Sequence, residues 1–225
     1  MMQRKGRADM FMTGNFGLYL VLTRPAAGYE RCTEAAVAAG VRYVQLRMKD
    51  APRAEVADMA RRLCAITHGS GTRFIVNDDP DLAAEAGADG VHLGQQDEPL
   101  AAARQRLPGL RIWGLLTHNG AQARAAVAAA PDYIGVGPVF ATPTKKHPDP
   151  AVGLACMGRI MAATPLTAVA IGGIDAGNLR DVLRAGAVNF AVVRHVCAAA
   201  NPSVAIRELQ MIWQDHHAGL PFNLL

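Results

Sequence analysis

Short apolar runs alternate with alanine- and arginine-rich stretches along nearly the whole sequence, and this alternation limits the possible folds most. Eight runs of four or five residues have the length and composition of strands that are buried on both faces. They are Leu18–Leu22, Tyr43–Leu46, Arg73–Val76, Gly90–Leu93, Arg111–Leu115, Tyr133–Val136, Leu166–Ala170 and Phe190–Val193. The stretches between them favour helix, as in Ala54–Thr67, Pro99–Leu107, Ala121–Ala130 and Ala176–Ala185. The pattern predicts a series of β/α units.

A weak internal repeat supports this alternation. Near Gly40, Gly87 and Gly186 a helical pattern ends in glycine, turns within two or three residues and leads into a strand. Glycine at that position adopts the left-handed conformation without Cβ strain. In a fourth copy, Pro131 ends the helix. Eight units in 225 residues leave about 28 residues for each, which predicts a single (β/α)8 TIM barrel. A doubly wound open sheet is the main alternative.

We expect one domain over residues 1–225, with residues of about 1–15 and 217–225 as accessory tails, because no linker or low-complexity segment divides the chain. Apolar residues make up 51% and charged residues 19%, which indicates a chain that forms a core. The net charge of +4 is mild, and the sequence around Trp113 and Trp213 shows no interleaving of aromatic and basic residues. These features predict no nucleic-acid partner.

Membrane insertion and a disulfide framework are also not expected. No uninterrupted apolar run approaches the roughly 18 residues that a membrane helix needs. The four cysteines, Cys32, Cys64, Cys156 and Cys197, lie far apart and form no CxxC pair. We therefore expect a reduced, cytoplasmic protein. The mild positive charge fits small anionic molecules as partners. The sequence leaves its oligomeric state open, with a homo-oligomer as one possibility.

Candidate functional residues follow the predicted strands, because barrel enzymes carry their sites at the carboxyl ends of the strands. Gln45, Arg47 and Lys49 alternate at the end of the second strand. A period of two places all three on one face, toward the barrel mouth. Two cations with an amide indicate a site for phosphate or diphosphate, although a solvated strand end would also show this pattern.

Acidic residues follow the next two strands. Asn77, Asp78 and Asp79 come after the third strand, and Asp97 comes after the fourth. Consecutive parallel strands are usually neighbours, so Asp78 and Asp97 are expected to face each other. Two carboxylates beside a diphosphate suit Mg²⁺. Helix capping is the alternative for this pair and the preferred interpretation for Asp79, and His92 is interpreted as a core histidine.

The last candidates lie after strands six, seven and eight. Hydroxyl and ammonium groups that can bind phosphate follow the sixth strand, at Thr142, Thr144 and Lys145. Gly173 follows the seventh strand, and Val193 and Arg194 follow the eighth. The loops after strands seven and eight often bind phosphate in this fold. The sequence therefore predicts a phosphate site here, although the segment after strand six could also be a plain exposed basic loop.

Five motifs taken together resemble the thiamine phosphate synthase family, from about Leu18 to about Pro202. They are Val44–Lys49, Val76–Asp79, Gly90–Asp97, Gly137–Lys145 and Ile171–Ile174. The resemblance implies a (β/α)8 transferase of thiamine biosynthesis. Such an enzyme joins a hydroxymethylpyrimidine diphosphate to a thiazole phosphate and releases diphosphate. A dissociative step through a pyrimidinylmethyl cation is expected, with the leaving group stabilised by Mg²⁺ and cations.

The resemblance also implies a role for each matched residue. The pyrimidine diphosphate would contact Gln45, Arg47, Lys49, Asn77 and Lys145, of which Arg47, Lys49 and Lys145 would be catalytic. Mg²⁺ would be held by Asp78 and Asp97. The thiazole phosphate would contact Thr142, Thr144, Gly173 and the backbone near Val193 and Arg194.

The sequence departs from the family pattern in two places. Leu116 stands where a serine usually follows the fifth strand, so a hydroxyl contact is lost unless Thr117 substitutes. Thr23-Arg24 stands where an acidic residue usually follows the first strand. Two other functions stay open. One is a thiazole tautomerase-like isomerase that uses His118 as a proton carrier, and the other is a non-catalytic binder of thiamine precursors, which Leu116 motivates.

Overall fold

The computed structural model describes residues 14–142 and 149–218. Eight strands follow one another along the chain: β1 Leu18–Leu22, β2 Tyr43–Leu46, β3 Arg73–Asn77, β4 Gly90–Leu93, β5 Ile112–Thr117, β6 Tyr133–Val136, β7 Ala168–Ile171 and β8 Asn189–Val192. The helices between and after them are α1 Tyr29–Ala38, α2 Arg53–Thr67, α3 Pro80–Ala86, α4 Leu100–Arg106, α5 Gly120–Ala129, α6 Leu154–Ala163, α7 Leu179–Arg184, α8 Arg194–Cys197 and α9 Pro202–Ala218.

The eight strands form a closed barrel in sequence order, and each strand is parallel to both of its neighbours. The ring closes between β1 and β8, where Leu18 pairs with Phe190 and Leu20 pairs with Val192. The predicted single (β/α)8 barrel is confirmed, and the doubly wound open sheet is wrong. All carboxyl ends of the strands therefore meet at one end of the barrel, where the candidate residues are concentrated.

The strand boundaries differ most from the predicted ones at β5 and β7. Strand β5 extends to Thr117, two residues beyond the apolar run, because Leu116 and Thr117 continue the ladder opposite Gly135 and Val136. Strand β7 begins at Ala168, two residues later than predicted. Hydrophobicity shows which residues are buried, whereas the register of the neighbouring strand decides where pairing stops.

Helix ends follow the predicted turn chemistry. The Asp79 side chain accepts a hydrogen bond of 2.8 Å from the Leu82 amide and caps α3, which confirms the capping interpretation. Gly87 ends the same helix in the left-handed conformation, with a φ of 73°. In the fourth copy of the repeat, Ala130 adopts that conformation and directly precedes Pro131.

The period of two along the strands separates two hydrophobic layers. On β1, Leu18, Leu20 and Leu22 face the surrounding helices, and Tyr19 and Val21 face the barrel interior. The interior layer comprises Tyr19, Val21, Tyr43, Ile75, Ile112, Tyr133, Val169 and Ala191. Three of these eight are tyrosines, so the interior also contains hydroxyl groups that need hydrogen-bond partners.

The amino end of the barrel is closed by the residues before β1 and by α9. The Asn189 side chain accepts hydrogen bonds from the amides of Phe16, at 2.8 Å, and Gly17, at 3.1 Å. Helix α9 packs against α1 and α7, and Trp213 donates to the Val188 carbonyl at 2.8 Å. His217 belongs to this helix, so the predicted tail boundary at 217 falls within its last turn. Within residues 14–142 and 149–218, we find no helix long and apolar enough to cross a membrane.

Candidate active site

A cleft of about 1280 Å³ opens at the carboxyl ends of the strands. Ten of the twelve predicted site residues line it, namely Gln45, Arg47, Lys49, Asn77, Asp78, Asp97, Thr142, Gly173, Val193 and Arg194. The other two, Thr144 and Lys145, lie outside the described residues. The barrel therefore brings side chains that are up to about 150 positions apart in sequence to one cavity.

Gln45, Arg47 and Lys49 enter the cleft at different depths. Gln45 lies within β2 and is only 4% exposed. Arg47 follows the strand, and two hydrogen bonds fix its backbone. Its amide donates to the Leu22 carbonyl at 3.0 Å, and its carbonyl accepts from the Thr23 hydroxyl at 3.2 Å. Burial lowers the pKa of the Arg47 guanidinium from its ordinary value. Lys49 is about half exposed.

Asp78 and Asp97 meet at the corner between β3 and β4, as the sequence predicts. Their carboxyl groups are within hydrogen-bonding reach of each other, and Lys49 Nζ lies 2.8 Å from Asp78 Oδ2. Burial first, and then the neighbouring Asp78, raises the pKa of the Asp97 carboxyl. The Gly94 amide donates to Asp97 Oδ2 at 2.6 Å and fixes that side chain.

The backbone at Asp78 holds an uncommon conformation that helps to form this pair. Its φ is 67°, which lies in the left-handed region that aspartate tolerates better than most residues. The Asp78 amide donates to the His92 carbonyl at 2.9 Å, and the Asp79 amide donates to the Asn77 carbonyl at 2.9 Å. The turn after β3 is therefore tied to β4, the strand that leads to Asp97.

The two carboxylates form a donor set that fits a divalent cation. Like charges in contact are unfavourable unless a cation or a shared proton separates them. Across residues 14–142 and 149–218, no group of three or more histidine, cysteine, aspartate or glutamate side chains is gathered for a metal. Mg²⁺ is often bound by only one or two carboxylates, with water and substrate phosphate completing the shell. Asp78 and Asp97 match that mode of binding.

A chain of hydrogen bonds crosses the barrel interior below the cleft, and sequence reasoning missed it. Gln45 donates to the Tyr19 hydroxyl at 3.0 Å, the Tyr19 and Tyr133 hydroxyls are 2.8 Å apart, and Tyr133 is 2.9 Å from His92 Nδ1. Burial raises the pKa of both tyrosines, so both stay neutral. His92 is buried and partnered, as a core histidine should be, but it also lines the cleft. The sequence signal that could have indicated these hydrogen bonds is the presence of tyrosines at inward positions of β1 and β6.

Gly172 and Gly173 form a tight turn after β7. Both have positive φ values, 103° and 69°. A Cβ on Gly172 would lie 2.5 Å from Pro138 Cα, and one on Gly173 would lie 2.7 Å from Phe140 Cβ. The Phe140 amide donates to the Gly172 carbonyl at 3.0 Å. The segment that leaves β6 toward Thr142 is therefore packed directly on this turn, where only glycine fits.

The end of β8 completes this side of the mouth. Val193 precedes the four-residue helix α8, whose first residue is the exposed Arg194. The next residue, His195, lies 3.0 Å from Glu208 Oε2 on α9 through its Nε2. Val193, Arg194 and His195 all line the cleft. The Arg194 guanidinium therefore adds a positive charge to the rim of the cleft.

The structure also shows what the two departures from the family pattern do. Leu116 is half-buried and lines the cleft. The Thr117 hydroxyl is fully buried and donates to the Gly135 carbonyl at 2.9 Å, so Thr117 does not replace the missing serine hydroxyl. Arg24 lines the cleft with a φ of 44°, and its guanidinium is 3.7 Å from Asp50. That change leaves an exposed cation at the rim.

Relatives with a similar sequence are thiamine-phosphate synthases. A protein of that name from Gloeobacter violaceus is 49% identical over 185 residues, which cover 82% of this chain but 54% of the relative. The chain thus spans about half the length of that relative. A thiamine-phosphate synthase from Laribacter hongkongensis is 43% identical over 199 residues, which cover 87% of this chain and 94% of the relative.

Structure and family comparisons agree with the sequence relatives. The solved structure of a thiamine phosphate pyrophosphorylase from Pyrococcus furiosus superposes with a TM-score of 0.81 at 30% identity, over 90% of this chain and 97% of the other. The sequence profile of a family described as thiamine monophosphate synthase matches residues 18–196. These matches confirm the family expected from the motifs, and the chain belongs to the thiamine monophosphate synthase family.

Proposed function

We propose that the chain joins a hydroxymethylpyrimidine diphosphate to a thiazole phosphate and releases thiamine phosphate and diphosphate. One observation carries the proposal. The carboxylates of Asp78 and Asp97 and the cations of Arg47 and Lys49 line the cleft beside β2, β3 and β4. The glycine turn and the Thr142 hydroxyl line the opposite side of the same cleft, beside β6 and β7. A cleft with two such sides suits two phosphorylated substrates that must react with each other.

The pyrimidine diphosphate belongs on the side of β2, β3 and β4. Arg47, Lys49 and Asn77 supply the donors for its phosphates, with Lys145 as a further predicted partner. Gln45 lies deeper, so its amide group can bind the pyrimidine ring while its Nε2 stays bonded to Tyr19. The positive charges then sit around the leaving diphosphate, where negative charge develops as the C–O bond breaks.

The thiazole phosphate belongs on the other side of the mouth. Thr142 and the turn at Gly173 line that side, together with the backbone at Val193 and Arg194. Phosphate groups favour amide donors that a side chain does not cover, which glycine provides. With its phosphate held here, the thiazole ring can extend across the cleft toward the pyrimidine carbon.

Asp78 and Asp97 would hold Mg²⁺, which would neutralise charge on the diphosphate and so make it a better leaving group. In the proposed reaction the C–O bond breaks, and its electron pair leaves with the diphosphate. The aminopyrimidine ring spreads the positive charge of the remaining carbon. The lone pair of the thiazole nitrogen then forms the C–N bond. No proton leaves that nitrogen, so the protein needs no general base and contributes by orienting the substrates and excluding water.

The carboxylate pair separates this proposal from the isomerase alternative. A tautomerase moves a proton within one thiazole and does not require two carboxylates beside two cations. The contact between Asp78 and Asp97 with Lys49 beside it therefore favours diphosphate chemistry.

The test is incubation of the purified chain with both substrates, with Mg²⁺ and with chelator, followed by chromatography of the products. We expect thiamine phosphate and diphosphate in equal amounts, only when Mg²⁺ and both substrates are present. A folded chain that forms no thiamine phosphate with Mg²⁺ would overturn the proposal. Product formation at the full rate in chelator would overturn the metal assignment.

A further inference from the structure

The connection from β6 to α6 has two arms that lie side by side. We call residues 137–142 the outgoing arm and residues 149–153 the returning arm. The Val152 amide donates to the Pro138 carbonyl at 2.7 Å, and the Gly153 amide donates to the Val139 carbonyl at 3.1 Å. Thr142, the predicted phosphate partner, is the last residue of the outgoing arm. Its place in the cleft therefore depends on how the two arms are held.

His118 contacts the first residue of the outgoing arm. It directly follows β5, and its Nδ1 lies 2.6 Å from the Gly137 carbonyl oxygen. A carbonyl can only accept, so Nδ1 carries the hydrogen and donates it. The His118 amide donates to Gln122 Oε1 at 2.7 Å, which anchors the residue on α5. The ring is thus fixed in position, with Nδ1 as a hydrogen-bond donor.

The other ring nitrogen faces the returning arm. His118 Nε2 lies 3.5 Å from Asp149 Oδ2, and the His118 side chain is only 17% exposed. One ring therefore bridges Gly137 and Asp149, the first residues of the two arms. Further along the outgoing arm, the Ala141 carbonyl oxygen lies 3.1 Å from where a Cβ on Gly173 would be. A shift of this arm would move Thr142 relative to the glycine turn.

We propose that His118 is a positioning residue that holds the outgoing and returning arms in register and so places Thr142 beside Gly173 for the thiazole phosphate. The identity of the substrate rests on the proposed function, whereas the positioning role of His118 rests on its hydrogen bonds. This role differs from that of a proton carrier, because the Nδ1 hydrogen is committed to a backbone carbonyl and Nε2 is directed at a carboxylate.

Two substitutions separate the two contacts of the ring. In His118→Asn the amide nitrogen takes the position of Nδ1, so the bond to Gly137 can form while the contact with Asp149 is lost. In His118→Gln the amide nitrogen takes the position of Nε2, so the contact with Asp149 can form while the bond to Gly137 is lost. Because the bond to Gly137 is the shorter one, we expect Asn to preserve function and Gln to behave like Ala.

Steady-state kinetics should show this difference in KM. In His118→Gln and His118→Ala we expect the KM for the thiazole phosphate to rise about tenfold, the factor that one lost hydrogen bond supplies. The KM for the pyrimidine diphosphate and kcat should change far less, and His118→Asn should stay close to the wild type. The exposed His68 provides matched control variants, His68→Asn and His68→Gln. If Asn and Ala both lower kcat by about 100-fold, His118 is a proton carrier and the proposal is wrong.

Hydrogen exchange tests the positioning role of His118 without a measurement of turnover. The amides of Val152 and Gly153 should exchange faster in His118→Gln and His118→Ala than in His118→Asn, at an unchanged midpoint of global unfolding. Unchanged exchange and an unchanged KM in His118→Ala would overturn the proposal. A wild-type chain that makes no thiamine phosphate would overturn the proposed function, and the exchange rates would still decide whether His118 holds the arms.

Discussion

Individual side chains at the β3–β4 corner carry most of the proposed chemistry. Asp78 and Asp97 are brought into contact by fixed backbone, since Asp78 is held at a φ of 67° and Asp97 accepts from Gly94. Their mutual repulsion is offset only in part by Lys49 at 2.8 Å, because that lysine is about half exposed and therefore screened. A divalent cation would relieve the repulsion more completely, and this argues for a bound metal.

Removing one charge of the pair should abolish most of the activity. For Asp78→Asn and for Asp97→Asn we expect Mg²⁺-dependent turnover to fall on the order of 100-fold, a typical loss when one group that stabilises developing charge is removed. Asparagine tolerates the left-handed conformation at position 78, so the fold should survive. Initial rates of diphosphate release over a range of Mg²⁺ concentrations are the measurement. Asp58→Asn, which alters an exposed ion pair with Arg61, is the control, and wild-type rates in both test variants would refute the metal assignment.

Leu116 offers a gain-of-function test at the same scale. Its side chain lines the cleft near Gly135, where a Cβ would come within 3.2 Å of Leu116 Cδ1. In Leu116→Ser a hydroxyl becomes available to the diphosphate, so we expect kcat/KM to be preserved or to rise by up to about tenfold, the lower end of the value of one hydrogen bond to a charged group. Leu116→Ala is the matched variant without a hydroxyl. If serine and alanine lower kcat/KM equally, the segment after β5 is not a diphosphate contact.

At the scale of secondary-structure elements, the sequence predicts the strands and some helix caps, but not the hydrogen bonds between distant segments. The strands could be predicted because buried parallel strands are short apolar runs, and Asp79 could be predicted as a cap from its position before Pro80. The hydrogen bond from His118 to Gly137 could not, because it joins segments 19 residues apart through a backbone carbonyl. The polar chain through Tyr19 and Tyr133 was hidden for the same reason, since its partners are 114 positions apart.

The turn after β7 gives a prediction at the scale of elements. In Gly173→Ala the new Cβ meets Phe140 at 2.7 Å and the residue keeps a φ of 69°, a conformation that costs about 1–2 kcal/mol for a residue with a side chain. We expect the turn and the outgoing arm to separate, with a rise of at least about tenfold in the KM for the thiazole phosphate. Gly109→Ala is the control, because a Cβ there meets nothing within 4 Å. Equal KM values for the two variants would contradict this view of the turn.

At the scale of the whole molecule, the closed barrel couples the two sides of the cleft. The hydrogen-bonded series Gln45–Tyr19–Tyr133–His92 joins β2, β1, β6 and β4 across the interior. The strands on the two sides of the cleft are therefore connected through the barrel interior. The described residues leave no buried side-chain nitrogen or oxygen without a hydrogen-bond partner. A fully partnered polar network favours one arrangement of the barrel. This arrangement would keep the two proposed substrate sites at a fixed separation, as the proposed reaction between two bound molecules requires.

We propose that the chain unfolds as one domain, and its two tryptophans allow a direct test. Trp113 lies on β5 and donates to the Leu110 carbonyl at 3.0 Å, whereas Trp213 lies on α9 and donates to the Val188 carbonyl at 2.8 Å. Trp113→Phe therefore leaves Trp213 as the only tryptophan, at the amino end of the barrel. Trp213→Phe leaves Trp113, in the barrel wall. Because a single cooperative core gives coincident transitions, the urea midpoint from fluorescence should equal the midpoint from circular dichroism in both variants. Each variant loses a hydrogen bond, so the midpoints are compared within a variant and not with the wild type. A fluorescence transition of Trp213 that precedes the loss of secondary structure would show that α9 unfolds separately and would refute the single-domain proposal.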